Sequence, residues 1–205
     1  MKLRFFSDIW KNYTKTMKKV YWKPGNMLYP LPAVMVSCGS SPEEHNIITV
    51  SWTGTICTDP PMCYISVRPE RHSYEIIKRN MEFVINLPSD KLLGITDYNG
   101  VKSGRDIDKF KENNLTPGPA REINAPIIEE APVNIECKVK QIVPLGSHDM
   151  FIAEVVAVSV DEDLIDPKTQ TLHLDKANLF AYSHGFYYLL GKKMGRFGFS
   201  VKKKK

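Results

Sequence analysis

Two periodicities alternate along this chain, and their order predicts its architecture. Over residues 5–21, Phe6, Ile9, Trp10, Tyr13, Met17 and Val20 recur at helical spacing while Lys11, Lys15, Lys18 and Lys19 fall largely elsewhere, which predicts an amphipathic helix ending at Pro24-Gly25. Strand-forming residues then dominate from Leu31 to Cys38 and from Ile47 to Trp52, and Asp59-Pro60-Pro61 separates these from a further strand over Met62–Val67. A helix follows over Ser73–Asn80, with Ser73 as its expected N-cap, Glu75 near the positive start and Lys78 and Arg79 near the end. Phe83–Leu87 returns to strand, and Ser89–Tyr98 and Asp106–Asn113 read as helices. Ile135, Cys137 and Val139 alternate with Glu136, Lys138 and Lys140, the mark of a strand with one wet face, whereas Phe151–Val160 is apolar on both faces and reads as a central strand. Short strands following one another without crossover helices predict a mainly β, α+β fold: a β-barrel with inserted helices rather than a doubly wound sheet.

Composition narrows the picture. With 205 residues, 42% of them hydrophobic, the chain is long enough for one sizeable domain with a buried core. The net charge of +5 sits at the ends: residues 1–24 carry seven basic side chains and one acid, and Lys202–Lys205 add four more, leaving 17 basic and 22 acidic groups between them. The expected organisation is therefore a basic amphipathic extension over 1–24, a barrel domain over 25–201 and a solvated lysine tail over 202–205. A mildly acidic body argues against a nucleic-acid partner. Neither a bilayer-spanning apolar run nor a secretory leader is legible, so no stable membrane insertion and a cytoplasmic location are expected. Cys38, Cys57, Cys63 and Cys137 lack C-x-x-C or zinc spacing and read as buried free thiols, and His45, His72, His173 and His184 share no ligand spacing, so no metal is expected. Gly191, Gly195 and Gly198 do not make a dinucleotide fingerprint, and no G-x-S-x-G or H-E-x-x-H motif is present.

Candidate chemistry lies in five blocks. In NIITVSW (Asn46–Trp52) the strand formers Ile47, Ile48 and Val50 carry beside them the polar groups of Asn46, Thr49, Ser51 and the following Thr53, and the ring of Trp52, a mixture that suits a ligand wall as well as an ordinary amphipathic strand. SVRPERHSY (Ser66–Tyr74) runs from a strand end into a helix, where backbone N–H groups and the Ser73 hydroxyl can converge on a phosphate and Arg68 or Arg71 can add fixed charge; a capped helix beside a surface arginine has the same pattern. The others are VKSGRDIDKF (Val101–Phe110), GSHDMFIAEV (Gly146–Val155) and the aromatic LFAYSHGFYYLLGKKMG (Leu179–Gly195).

Together these blocks resemble the flavin reductase-like family, in particular its flavoredoxin branch, over about residues 29–200. The resemblance implies an FMN-binding split barrel, usually a homodimer with flavin at or near the subunit interface. It implies Asn46, Thr49, Ser51, Trp52 and Thr53 along the isoalloxazine and ribityl chain, Arg68 and Ser73 near the phosphate, Lys109 reaching the FMN from the Phe110-anchored loop ahead of Ser103 and Arg105, and Phe180 or Tyr182 flanking the ring. His148 is the implied catalytic residue, placed where a reductant docks. Ala153 stands where the family usually has glycine, and Phe83–Asn86 is a family-like supporting strand. The implied activity is electron transfer from NAD(P)H or a small redox protein to an acceptor; the alternative is a non-catalytic barrel that binds flavin or another ligand.

Overall fold

The computed structural model of the protein describes residues 18–201. Lys18–Lys23 adopt no helix, in contrast to the end of the predicted 5–21 helix, and Val20, Tyr21 and Trp22 are exposed. The rest of that helix and the lysine tail lie outside the described residues.

Strands outnumber helices among the described residues. β1 (Leu31–Pro32) leads into β2 (Val34–Cys38), β3 (Asn46–Val50), β4 (Thr53–Cys57) and β5 (Met62–Val67); after helix α1 (His72–Asn80) come β6 (Glu82–Leu87), α2 (Leu93–Val101) and the one-turn α3 (Lys109–Glu112). β7 (Pro117–Gly118) and β8 (Ile127–Ile128) form a small ladder, followed by the long strands β9 (Val133–Pro144) and β10 (Asp149–Val160) and the terminal hairpin of β11 (Phe180–Ser183) and β12 (Phe186–Leu189). Seven strands make one antiparallel sheet in the order β3-β2-β6-β9-β10-β5-β4, curled into a half-barrel. Register shifts at Ile152/Ala153 and Val155/Ala157 on β10 add the local twist that such a curl needs. β1 pairs with β11 to form a separate small sheet.

Side-chain alternation sorts β2 and β3 into two cores. Val34, Val36, Cys38, Ile48 and Val50 join Ile65, Phe83, Ile85 and Phe151 inside the curl, while Met35 and Ile47 point outward to Leu92, Phe110, Leu115 and Ile128. β10 does lie between two strands, but only Phe151 and Ala153 of it are buried, so its second half is central in position and not in burial. α1 inserts Tyr74, Ile76 and Ile77 into the inner core. Its N-cap is Arg71 rather than Ser73; the Ser73 hydroxyl lies in the helix's first turn and accepts from Asn46 Nδ2 at 2.7 Å. α3 starts later than the sequence pattern predicts, because Ser103–Asp106 forms a turn and Asp108 becomes the cap, accepting from the Lys111 N–H. Cys38, Cys63 and Cys137 are buried free thiols, whereas Cys57 is half-exposed on the edge strand β4, contrary to the sequence expectation. No helix among the described residues is long and apolar enough to cross a membrane.

The outer face of the sheet is closed by polar groups as well as by apolar ones. Fully buried Asn86 donates to the Met35 carbonyl and to Ser37 Oγ, both at 2.9 Å, and its Oδ1 accepts from the Ile128 N–H and from Asn134 Nδ2, also at 2.9 Å. One amide thereby ties β2, β8 and β9 to β6. Asn86→Leu leaves several of these buried groups unpaired and is expected to lower unfolding free energy by about 3 kcal/mol. Urea denaturation of the wild type and variant checks this, and a loss within about 0.5 kcal/mol of zero would show that water replaces the network.

Candidate functional site

Two adjoining cavities, of about 340 and 460 Å³, share Ile48, Arg68 and Arg71 in their walls and form one trench across the end of the half-barrel. The first is cationic. Arg68 and Arg71 come from the turn between β5 and α1, Lys102 and Arg105 from the loop after α2, and Lys109 from α3, against the single lining carboxylate of Glu70. Arg105 Nη1 donates to the Glu70 carbonyl at 2.9 Å, which fastens the two segments together, and Arg68 Nη1 lies 3.4 Å from Glu70 Oε1. Gly104 is required here: a Cβ at that position would collide with Asn46 Oδ1 and with the His72 ring.

Lys109 is buried, and its Nζ donates to the carbonyls of Ile47 and Asn99, each at 2.8 Å. An ammonium has three donors, so one remains for the cavity that Lys109 lines. Burial pulls its pKa down to about 8, with the neighbouring Arg71 charge adding to the effect. Asn46 and Ser73, hydrogen-bonded to one another, supply the polar wall beside it. His72 is likewise held below its ordinary value by burial and by the charges of Arg105 and Lys109. α1 starts at this point, so its N-terminal dipole adds to a field that already favours an anion.

Beyond the two arginines that it shares with the first, the second cavity carries hydroxyls and rings. Thr49, Ser51 and Trp52 line it from β3 and the turn after it, Ser66 from β5, and Ser147 and His148 from the β9–β10 turn. The Ser66 N–H donates to the Trp52 carbonyl at 2.8 Å, and the Trp52 and His148 rings stack with centroids 6.5 Å apart and an interplanar angle of 26°. The Thr49 hydroxyl donates to the Thr96 carbonyl of α2, so Thr49 joins the helix to the cavity wall and does not present a free donor. Partial burial and the Arg68 charge hold the His148 imidazole below its usual pKa, with Glu70 opposing, which leaves it neutral at pH 7.

The trench thus gathers Asn46, Thr49, Ser51, Trp52, Arg68, Ser73, Lys109 and His148, and both arginines weighed in the sequence face it. It does not gather Thr53 or Phe180. Alternation turns Thr53 away from Trp52, and its buried hydroxyl donates to the Tyr64 carbonyl at 2.6 Å. Phe180 is buried in a separate apolar cavity with Leu31, Val34 and Leu87, edge-on to Tyr187; Tyr182, two residues along the same face of β11, is the aromatic that reaches the trench. Asn26 and Lys102 were missed: Lys102 lies inside a block already singled out, whereas Asn26 carries no local signal. No cluster of three or more metal-ligating side chains occurs among the described residues. Five cations at one end and a ring-bearing basin at the other suit a ligand with an anionic group at one end and a planar system at the other.

Comparison with known proteins agrees with this chemistry. The family model described as a flavin reductase like domain matches residues 27–184. An uncharacterized protein of Pyrococcus abyssi is 32% identical over 140 residues, covering 68% of this chain and 80% of that protein. Flavoredoxin of Desulfovibrio vulgaris (Miyazaki F) superposes with a TM-score of 0.83 at 29% identity, covering 91% of this chain and all of that one (100%). A flavoredoxin from Methanosarcina acetivorans superposes with a TM-score of 0.81, covering 91% of this chain and 98% of that one; at 22% identity it speaks to the split-barrel fold alone.

The lowered pKa of Lys109 gives the cationic cavity a signature in pH. Below about 8 the ammonium is charged, and above it the cavity loses one positive charge. A phosphate monoester is already dianionic by then, its second ionisation lying near about 6. Affinity of the ligand-free protein for phenyl phosphate is therefore expected to hold from pH 7 to 8 and fall at higher pH, with Lys109→Met weakening it roughly tenfold at pH 7 and flattening the fall. Calorimetric titration checks both; an unchanged pH profile in Lys109→Met would place the ammonium out of the anion's reach.

Proposed function

This chain belongs to the flavin reductase-like family, and from that premise we propose that it is an FMN-binding oxidoreductase carrying electrons from NAD(P)H or a small redox protein to an acceptor. The observation that carries the reading is the union of a cationic cavity with a basin walled by Trp52 and His148. In this reading Arg68, Arg71, Ser73 and Lys109 hold the phosphate, while Thr49, Ser51, Trp52 and Tyr182 wall the isoalloxazine. Asn46 fixes Ser73, and Thr53 and Phe180 support the strands from behind. One cationic end favours FMN over a dinucleotide flavin, whose second half would need a further recognition surface. The bound flavin would supply the acceptance of two electrons and their release singly or in pairs, chemistry that no side chain performs. The neutral imidazole of His148, held against Trp52, would orient the donor over the ring.

Assembly as a homodimer belongs to the same reading. Tyr21, Met194 and Phe197 are fully exposed, and Trp22, Leu189, Leu190 and Phe199 largely so. Such surface on a single chain suits a self-complementary contact between two copies.

The purified protein is expected to sediment as a dimer with flavin absorption moving with it, and mass spectrometry of the released cofactor should give FMN. Colourless protein that fails to bind added FMN would sink the proposal, and a monomer with FMN fully bound would remove the dimer from it. Among variants, Arg71→Ala should weaken FMN binding by about 1.5–3 kcal/mol, the worth of a charge-assisted hydrogen bond. His148→Ala should keep FMN and slow its anaerobic bleaching by the donor; equal bleaching rates in stopped flow would deny His148 that role.

A further inference from the structure

Past the Trp52 side of the basin the trench opens into a third cavity of about 570 Å³, which shares Asn26, Trp52 and Ser66 with it. Its remaining wall is apolar: Leu28, Tyr29 and Leu31 from the segment entering β1, Tyr64 from β5, and Leu145 and Met150 from either side of the β9–β10 turn. Among the described residues no charged side chain lines it, whereas five basic side chains line the opposite end of the trench. Polarity therefore falls along one continuous surface, from cations, through hydroxyls and an imidazole, to hydrocarbon and aromatic rings.

We propose that this apolar bay seats a neutral aromatic electron acceptor of the quinone class, next to the flavin basin and served by it. The proposal rests on the FMN reading above. Its volume lies in the range of small-molecule sites. Tyr29 and Tyr64 can pack on a planar ring, and the Met150 thioether suits an aromatic edge. An anionic acceptor, or the diphosphate of a dinucleotide, would shed hydration here and find no counter-charge in the wall. The Ser66 hydroxyl and the Asn26 amide stand at the boundary with the basin, where they can donate to a quinone oxygen while the hydrocarbon part lies in the bay. Trp52 forms the common wall of basin and bay, so the two rings would be neighbours. The electron balance closes with no further reagent: the reduced flavin loses two electrons and two protons, and the quinone gains them as its two carbonyl oxygens become hydroxyls.

The test uses the FMN-loaded full chain, reduced with dithionite and mixed anaerobically with naphthoquinone or with its anionic sulfonate. Flavin reoxidation by the neutral quinone should saturate, and Met150→Lys should shift the ratio of the two saturation constants at least about tenfold towards the sulfonate by placing a cation in the bay. Leu145→Lys, at an exposed position on the same β9–β10 hairpin, should shift it in the same direction without touching the core. A ratio unchanged in both variants would overturn the proposal. So would lysine variants that dissociate the dimer while naphthoquinone reoxidation stays the same, since the bay would then be a seat for the second copy. The visible spectrum separates this from failure of the underlying reading: protein without bound FMN refutes the flavin assignment, whereas yellow protein with an unchanged ratio refutes only the acceptor bay.

Discussion

The buried ammonium of Lys109 is the contact on which the trench depends. Its two 2.8 Å hydrogen bonds run to the Ile47 carbonyl on β3 and to the Asn99 carbonyl on α2, so one side chain from α3 fixes sheet, helix and loop together. Taking a charge out of water costs several kcal/mol unless partners replace the lost hydration. Here the hydrogen-bond partners are carbonyl dipoles, and a pKa pulled down to about 8 records that compensation is incomplete. A carboxylate in the same place would have neutralised the charge. Carbonyls orient it and leave it available, which is the condition an anion site needs.

Charge and rigidity come from different parts of the chain. β3 and β5 supply the neutral floor, whose positions are fixed by ladder hydrogen bonds, while every lining arginine, together with Lys102, stands on a connecting segment. The segments are then tied down individually: Arg105 to the Glu70 carbonyl, Thr49 to the Thr96 carbonyl, and Asn46 to Ser73. Close approach is possible because Gly104 and Gly100 have no Cβ to hold Asn46 and Thr49 away.

The far side of the sheet solves a different problem by the same means. The loop from Arg121 to Ile128 covers the outer face without forming a regular strand along most of its length. Its backbone N–H groups are met instead by side chains of the sheet: Glu136 accepts from Arg121 and Glu122, Glu82 from Asn124, and Asn86 from Ile128. Buried backbone donors need partners, and carboxylates on β6 and β9 supply them where a neighbouring strand is lacking. Glu136 is therefore buried on the face of β9 that alternation alone predicts to be wet.

Sequence alone determined the class of fold, which is written in local terms, and marked the blocks from which a site could be built. Strand-forming residue types placed β2, β3, β5 and β6, alternation placed β9, and the run bounded by Ser73 at one end and by Lys78 and Arg79 at the other placed α1, preferences that hold wherever an element sits in the fold. The blocks around Asn46 and Arg68 offered residue types suited to a ring and an anion, whereas Lys109 and His148 stood out only through the family resemblance. Tertiary structure decided which of those residues meet. It turned Thr53 into the wall behind Trp52, sent Phe180 to another cavity and brought Tyr182 forward, and made Ser73 a partner of Asn46 instead of a helix cap. It also joined Asn26, Tyr64 and Met150, far apart in the chain, into one apolar bay. Such meetings depend on register, on the curl of the sheet and on where loops cross its edge, and these are set by long-range packing that no local pattern encodes.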